Sequence, residues 1–119
     1  MSLVLVADDS PSNREFLAVI MEREGWEVVE ASNGLEALAK AIQRVPDLVL
    51  LDIQMPGADG YATVTAMRQH PTLAGTPIFA ITAYAMEGDP QKGLDAGFTG
   101  YLTKPLTRRR LLASLGALS

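Results

Sequence analysis

The sequence alternates short apolar runs with longer segments in which apolar residues recur at helical spacing. Three runs, residues 3–7, 48–51 and 78–81, are almost entirely apolar, which is typical of strands covered by helices on both faces. Two further runs, 27–31 and 100–103, are more polar or contain glycine, and we predict that they form the sheet edges. Since such alternation builds βαβ units, the pattern predicts an α/β fold with a parallel five-stranded sheet.

Apolar stripes at helical spacing predict the helices that cover this sheet. The first helix has Ser10 as its N-cap and Pro11 as its first residue, and it ends before Gly25. A weaker segment, residues 89–96, contains Gly93, which costs about 1 kcal/mol relative to alanine, and we expect it to be the most mobile helix. We expect the stripes to pack in the core; their members are Phe16, Leu17, Ile20 and Met21, then Leu35, Leu38, Ile42 and Val45, then Tyr61, Val64 and Met67, and finally Leu111, Leu112, Leu115 and Leu118.

The chain is acidic and contains no cysteine, which narrows the classes of function. Its formal net charge is −4 over 119 residues, whereas a protein that binds nucleic acid directly needs a basic face. The absence of cysteine excludes disulfides and thiolate metal sites; it fits a reducing cytoplasm, although it would also fit many secreted proteins. With no leader pattern and no apolar stretch of membrane-spanning length, we expect one cytoplasmic domain over residues 1–119, without direct contact with nucleic acid or membrane.

Polar residues stand where four of the five predicted strands end. Asp8 and Asp9 follow the first strand, and Asp52 ends the third. Thr82 ends the fourth strand, and Lys104 follows the fifth. Ligands of an open parallel sheet bind outside the carboxyl ends of its strands, so we expect these side chains to converge on one edge. Three buried carboxylates would be costly without a cation, and hard oxygen ligands favour Mg²⁺ over zinc.

Asp52 is the predicted reacting group because it lies on the middle strand, flanked by the other positions. A carboxylate can attack phosphorus and form an acyl phosphate. Mg²⁺ and the Lys104 ammonium would offset charge on the phosphoryl oxygens, Thr82 would add a hydrogen bond, and the small Ala83 leaves room. Each residue alone has an ordinary interpretation, such as an acidic pair at a helix N-terminus. The occurrence of all these residues at successive strand ends favours the functional interpretation, because packing does not require such a coincidence.

The same residues resemble a known family over essentially the whole chain. The sequence resembles the receiver domains of two-component response regulators, and most of all those of hybrid kinases and single-domain phosphorelay regulators. The resemblance implies a three-layer (βα)5 flavodoxin-like sandwich, with strand order 2-1-3-4-5 and helices on both faces. The motifs that carry it are Asp8-Asp9, Asp52 within LDIQMP, Thr82-Ala83 and Thr103-Lys104-Pro105.

The resemblance also implies how the site works. Asp52 is then the phosphoacceptor, and Lys104 contacts the phosphoryl oxygens. Asp9, Asp52 and the backbone carbonyl of Gln54 would hold Mg²⁺, with Asp8 assisting through water.

A switch is implied as well. Thr82 would move to hydrogen-bond the phosphoryl group, and Tyr101 would rotate after it, although a tyrosine on an edge strand is also a common packing residue. The peptide bond between Lys104 and Pro105 would be cis. The side chain of Tyr84, like that of Gln54, would tune the lifetime of the acyl phosphate.

The sequence therefore predicts a phosphorylation-controlled binding switch and not a conventional enzyme. It would take a phosphoryl group from a phosphohistidine of a sensor histidine kinase or histidine phosphotransfer protein, and so select a downstream protein target. One alternative is a haloacid-dehalogenase-like phosphatase, but it expects a cap domain and a second carboxylate where this chain has Gln54. Another is a degenerate receiver that ignores phosphate, against which the intact site argues.

Three consecutive arginines, Arg108, Arg109 and Arg110, begin the last predicted helix. In an acidic protein such a run is most often a solvated face. The alternative is a partner face of the fourth helical segment, the fifth strand and the last helix, where charges would pair across a homodimer or with a kinase. The sequence leaves both interpretations open.

Overall fold

A computed structural model describes residues 2–53, 60–82, 96–103 and 107–116. Its strands form one parallel sheet in the order β2-β1-β3-β4-β5. The order confirms the predicted topology, and the two more polar runs do form the edges. The strands are β1 (Leu3–Ala7), β2 (Glu27–Ala31), β3 (Leu48–Asp52), β4 (Ile78–Thr82) and β5 (Gly100–Thr103).

Helices follow the strands as the sequence predicts. At the start of the first, the Ser10 side chain accepts a hydrogen bond from the backbone N–H of Asn13, and Pro11 is the first helical residue. The helical segment predicted at residues 89–96 lies outside the described residues except for Ala96. The described helices are α1 (Pro11–Arg23), α2 (Gly34–Arg44), α3 (Gly60–Arg68), a 3-10 turn (Pro71–Leu73) and the C-terminal helix (Arg108–Gly116).

Two apolar clusters, one on each face of the sheet, make up the core. Leu5 and Leu51 belong to the first cluster, whereas Val4 and Leu50 belong to the second, because successive strand residues face opposite sides. This arrangement confirms the three layers and the helices on both faces. The helices contribute Ala37, Ala41, Val64 and Met67 to the first cluster and Leu17, Ile20, Met21 and Leu111 to the second.

The predicted core stripe of α2 is wrong for three of its four members. The helix buries Ala37 and Ala41 completely, and only Leu38 of the stripe is packed against the core. Small side chains let the helix backbone approach the sheet closely, so Leu35 and Ile42 lie roughly 120–140° around the helix from the buried line, and Val45 follows the last helical residue. The exposed members are Leu35 at 75%, Ile42 at 38% and Val45 at 44%.

In the other three stripes, the described side chains lie in or against the core, except that of Phe16. Phe16 is largely exposed and not in the core, because it lies roughly 120° around α1 from the line between Leu17 and Met21 that faces the sheet. The α3 stripe is confirmed, with Tyr61 at the margin of the first cluster. In the last stripe Leu111 is buried and Leu112 packs against the second cluster, while the side chains of Leu115 and Leu118 lie outside the described residues.

Val45 ends α2 in a left-handed conformation, with φ 46° and ψ 71°, which β-branched residues rarely adopt. Asparagine tolerates this region, so Val45→Asn should raise the free energy of unfolding by about 1 kcal/mol in urea titrations. Val19→Asn is the matched control, because Val19 is similarly exposed but lies within α1. An equal gain in both variants would show that the backbone conformation of Val45 is not the cause.

A reciprocal cap begins α2. The Asn33 side chain accepts a hydrogen bond from the backbone N–H of Glu36 at 2.8 Å, and the Glu36 carboxylate accepts one from the backbone N–H of Ser32 at 3.3 Å. Lys40 Nζ donates to the same carboxylate at 3.1 Å. This hydrogen bond is the main cause that lowers the pKa of Glu36 below its ordinary value.

A lowered carboxyl pKa stabilises the fold above the ordinary pKa of that group, and the stabilisation is lost as the pH falls through the lowered value. Glu36→Gln mimics the protonated side chain. The difference in free energy of unfolding between wild type and this variant should therefore be present at pH 7, decline below the ordinary value of 4.5 and disappear once the pH is below the lowered pKa. Lys40→Met should remove most of that pH dependence; an unchanged dependence in Lys40→Met would contradict the assignment.

Candidate metal centre at the carboxyl edge of the sheet

Three aspartates meet where β1 and β3 end. Asp8 and Asp9 directly follow β1, and Asp52 is the last residue of β3. The two strands are parallel neighbours, with Ala7 paired to Leu51, so their carboxyl ends are level. One carboxylate oxygen from each aspartate lies within 4.8 Å of the others. The structure therefore brings together the acidic residues that the sequence predicted.

The burial of these carboxylates determines what the cluster can bind. Asp8 is 0% and Asp52 2% exposed, whereas Asp9 is open to solvent. Two buried negative charges beside a third repel one another, and a cation among them offsets both the repulsion and the desolvation. An all-carboxylate oxygen set suits a hard divalent ion such as Mg²⁺, and the exposed Asp9 leaves the cluster open to solvent on one side.

The backbone around Asp8 is held by α1. Asp8 Oδ1 accepts a hydrogen bond from the backbone N–H of Ser10 at 2.9 Å, which ties the aspartate to the start of the helix. Arg14 Nη1 donates to the Asp8 carbonyl at 2.7 Å, and its Nε lies 3.4 Å from a Glu30 carboxylate oxygen. Sequence reasoning had not assigned Arg14 a role in the site. Its acceptor is a main-chain carbonyl, which leaves no residue-type signal in the sequence.

The chain after Asp52 is held just as closely. The backbone N–H of Ile53 donates to the Ile81 carbonyl at 3.1 Å, and that of Gly60 donates to the Ile53 carbonyl at 3.0 Å. A Cβ at Gly60 would come within 2.7 Å of the Ile53 Cα, so only glycine lets α3 start this near the strand. The approach fixes the backbone beside Asp52, and sequence reasoning had not assigned Gly60 this role.

The two predicted switch residues lie on neighbouring strands. Thr82 is buried at the end of β4, next to the end of β3. Tyr101 of β5 is half-buried and pairs with Ala80, so Thr82 and Tyr101 lie on the same face of the sheet. The Tyr101 ring is 6.1 Å from that of Phe98, which packs edge-on against Tyr61 at 5.9 Å. The geometry gives Tyr101 a packing contact in addition to its position beside Thr82.

Several predicted site residues lie outside the described residues, so their expectations stay predictions. These are Gln54 as a carbonyl ligand, Ala83 and Tyr84 beside the phosphoryl group, Lys104 as its cation, and the cis peptide bond between Lys104 and Pro105.

The side chains of Arg108, Arg109 and Arg110 are exposed, as the solvated-face interpretation expects. Arg108 approaches a Glu24 carboxylate oxygen at 3.8 Å.

The sheet reverses its winding direction between β1 and β3, and the aspartates lie at that point. Fold and site together define a doubly wound α/β protein with a cluster of three aspartates at its topological switch point. The chain belongs to the response regulator receiver domain family, which matches residues 4–116.

Individual proteins are similar over nearly all of this chain. It is 33% identical over 118 residues to the DNA-binding dual master transcriptional regulator RpaA of Synechocystis sp., covering 99% of this chain and 49% of RpaA. The chain thus spans about half the length of that relative. The structure of chemotaxis response regulator CheY4 of Vibrio cholerae is 35% identical, with a TM-score of 0.94, and the match covers 100% of this chain and 99% of CheY4.

A third match carries a metal. The receiver domain of sensor histidine kinase PA1611 of Pseudomonas aeruginosa PAO1 is 30% identical, with a TM-score of 0.90, and the match covers 98% of this chain and 95% of that one. Its structure has a magnesium ion coordinated in the active-site cleft. Receiver domains are phosphorylation-dependent switches of two-component signalling, so the predicted class of function is confirmed. The matches give no support to the haloacid-dehalogenase alternative.

Among the described residues, every helix falls short of the length and apolar character needed to cross a membrane.

Proposed function

We propose that residues 1–119 act as one receiver domain whose Asp52 accepts a phosphoryl group with the help of Mg²⁺. The observation that carries the proposal is the cluster of Asp8, Asp9 and Asp52 at the β1/β3 switch point, with two of the three carboxylates buried. The magnesium in the PA1611 receiver domain supports the choice of ion. Mg²⁺ would be held by Asp9, Asp52 and the Gln54 carbonyl, with Asp8 acting through water.

Asp52 is the proposed nucleophile because the other two aspartates have positions that suit supporting roles. Asp8 receives the Ser10 N–H on one of its oxygens, and Asp9 is exposed at the entrance. Asp52 ends the central strand, where a phosphoryl group would lie between the ion and Lys104. An Asp52 oxygen bonds to phosphorus as the phosphorus–nitrogen bond of the donor phosphohistidine breaks, and the departing imidazole takes up a proton. Bound Mg²⁺ would offset charge on the phosphoryl oxygens.

The chemistry of the proposal ends at one phosphoryl group, which the domain takes up and slowly loses. Thr82 and Tyr101 would report the phosphorylated state, and Gln54, Ala83 and Tyr84 would surround the group. The peptide bond between Lys104 and Pro105 would be cis. The donor is a sensor histidine kinase or a histidine phosphotransfer protein, and the output is altered binding of a downstream protein. The fourth helical segment, β5 and the C-terminal helix form the proposed partner or homodimer face.

Intact-mass measurement with a small phosphodonor tests this function directly. Incubation with acetyl phosphate and MgCl₂ should add one phosphoryl group to the wild-type chain. EDTA should prevent the addition, because the buried carboxylates need a cation before an anionic donor approaches. Hydroxylamine should remove the group, as it cleaves acyl phosphates but leaves phosphoserine esters intact. A chain that gains no mass, gains it equally in EDTA, or keeps it in hydroxylamine would refute the proposal.

A further inference from the structure

The outer surface of α2 carries an apolar stripe whose members are Leu35, Leu38, Ile42 and Val45, here called the α2 stripe. Three of the four are exposed, and Leu38 is half-buried. Contiguous apolar side chains on the surface of a soluble protein are typical of interaction sites, whereas scattered single ones need no explanation. The stripe is therefore a candidate interface, and it shares no residue with the metal centre.

The charged residues of α2 are directed away from the stripe. Glu36, Lys40 and Arg44 lie roughly 100–180° around the helix from Leu35 and Ile42. They are engaged at the neighbouring edge of the sheet, where Lys40 Nζ donates to the Glu30 carbonyl at 2.6 Å and Arg44 pairs with Glu27 at 3.1 Å. The stripe is thus uncharged, and the partner that fits it is an equally uncharged apolar surface.

The stripe is also complementary to a copy of itself. If two α2 helices lie antiparallel with a two-fold axis at the level of Lys40, Leu35 comes opposite Val45 of the second copy, and Leu38 comes opposite Ile42. The same residues meet on both sides, as a two-fold interface requires. The antiparallel arrangement also places the positive end of each helix dipole beside the negative end of the other, so charge complementarity favours it.

We propose that a second copy of this chain packs on the α2 stripe, with α2 antiparallel to α2. An 11-residue helix is about 16 Å long, so its stripe alone buries well under the ~800 Å² per partner of a standard interface. The dimer is accordingly weak and forms at high local concentration. The helix α2 packs against β1 and β2, and β5 is the opposite edge of the sheet, so this contact leaves the face around β5 open.

Sedimentation velocity over a concentration series tests the surface. The weight-average sedimentation coefficient of wild type should rise with concentration, and Ile42→Glu should abolish the rise, because each dimer would bury two carboxylates in an apolar contact. Val19→Glu is the matched control: its side chain is similarly exposed but lies on α1, across the sheet, and it should associate like wild type. Wild type that stays monomeric throughout, or Ile42→Glu that associates like wild type, overturns the proposal.

Cross-linking tests the antiparallel arrangement, and the chain has no cysteine of its own. In the proposed dimer, Leu35 lies beside Val45 of the second copy but about 15 Å along the axis from the second Leu35. A mixture of Leu35→Cys and Val45→Cys should form an intermolecular disulfide many times faster than Leu35→Cys alone. Equal rates, or faster bonding of Leu35→Cys to itself, would overturn the antiparallel arrangement whether or not Asp52 accepts phosphate.

Discussion

Asp52→Asn should gain no phosphoryl group from acetyl phosphate at any Mg²⁺ concentration, whereas wild type gains one. The physical reason is that the carboxamide lacks the anionic oxygen that attacks phosphorus. The variant should still fold, because the change keeps the shape of the side chain and removes one of three clustered negative charges. Intact mass measures the phosphoryl group, and urea unfolding measures the stability.

Asp9→Asn is the matched control for this loss. Asp9 belongs to the same cluster but is exposed, so its carboxylate would assist the ion without reacting. Asp9→Asn should need a higher Mg²⁺ concentration to be phosphorylated but should reach the same final mass. If Asp52→Asn is phosphorylated like wild type, or if Asp9→Asn is the variant that no Mg²⁺ concentration restores, the nucleophile is not Asp52.

Arg68→Ala should lower the free energy of unfolding by about 3 kcal/mol, the largest effect that we expect of a residue outside the apolar core. Arg68 Nη1 donates to the carbonyls of Leu73 and Thr76, each at 2.7 Å, and Nε donates to that of Gly97 at 2.9 Å. Burial lowers the pKa of the guanidinium, which still remains a cation at neutral pH. Alanine would remove the Arg68 donors from the carbonyls of Thr76 and Gly97 at the amino-terminal side of β4 and β5, while the Leu73 carbonyl would keep the backbone N–H of Thr76.

Arg44→Ala is the control for Arg68→Ala. Arg44 is also an arginine at the end of a helix, but it is exposed and makes one ion pair with Glu27. Such pairs contribute about 0–1 kcal/mol, so the loss should be several times smaller. Equal losses in urea titrations would mean that the carbonyl contacts of Arg68 contribute little.

Gly97→Ala should destabilise the fold as well, because its Cβ would come within 2.6 Å of the Arg68 Cγ.

Arg68 also illustrates what could not be predicted from the sequence. Its acceptors are mainly backbone carbonyls, which every residue carries, so no pattern of residue types marks them. The same holds for Arg14 at the Asp8 carbonyl and for Gly60 against the Ile53 backbone. Each of these contacts depends on how closely two chain segments approach, and that distance is a property of the packed fold.

The α2 stripe shows a second kind of limit. Helical spacing correctly indicated a helix with an apolar face, but α2 has two apolar lines, one of alanines and one of larger residues. The structure buries Ala37 and Ala41 and leaves Leu35 and Ile42 outside. The spacing of apolar residues indicates that a helix has an apolar face. The distance between the helix and the sheet decides which of two apolar faces packs against the sheet.

The strand order and the aspartate cluster were predictable for complementary reasons. Parallel strands connected by helices place all their carboxyl ends on one edge, so residues that follow the strands must meet there. Asp8, Asp9 and Asp52 could thus be assigned to one site from the sequence, with family resemblance supplying the strand order. Sequence by itself determined the fold class and the identity of the acidic residues. Tertiary structure alone decided their burial, the contacts of Arg68 and the side of α2 left to solvent, because these depend on the distances between packed elements.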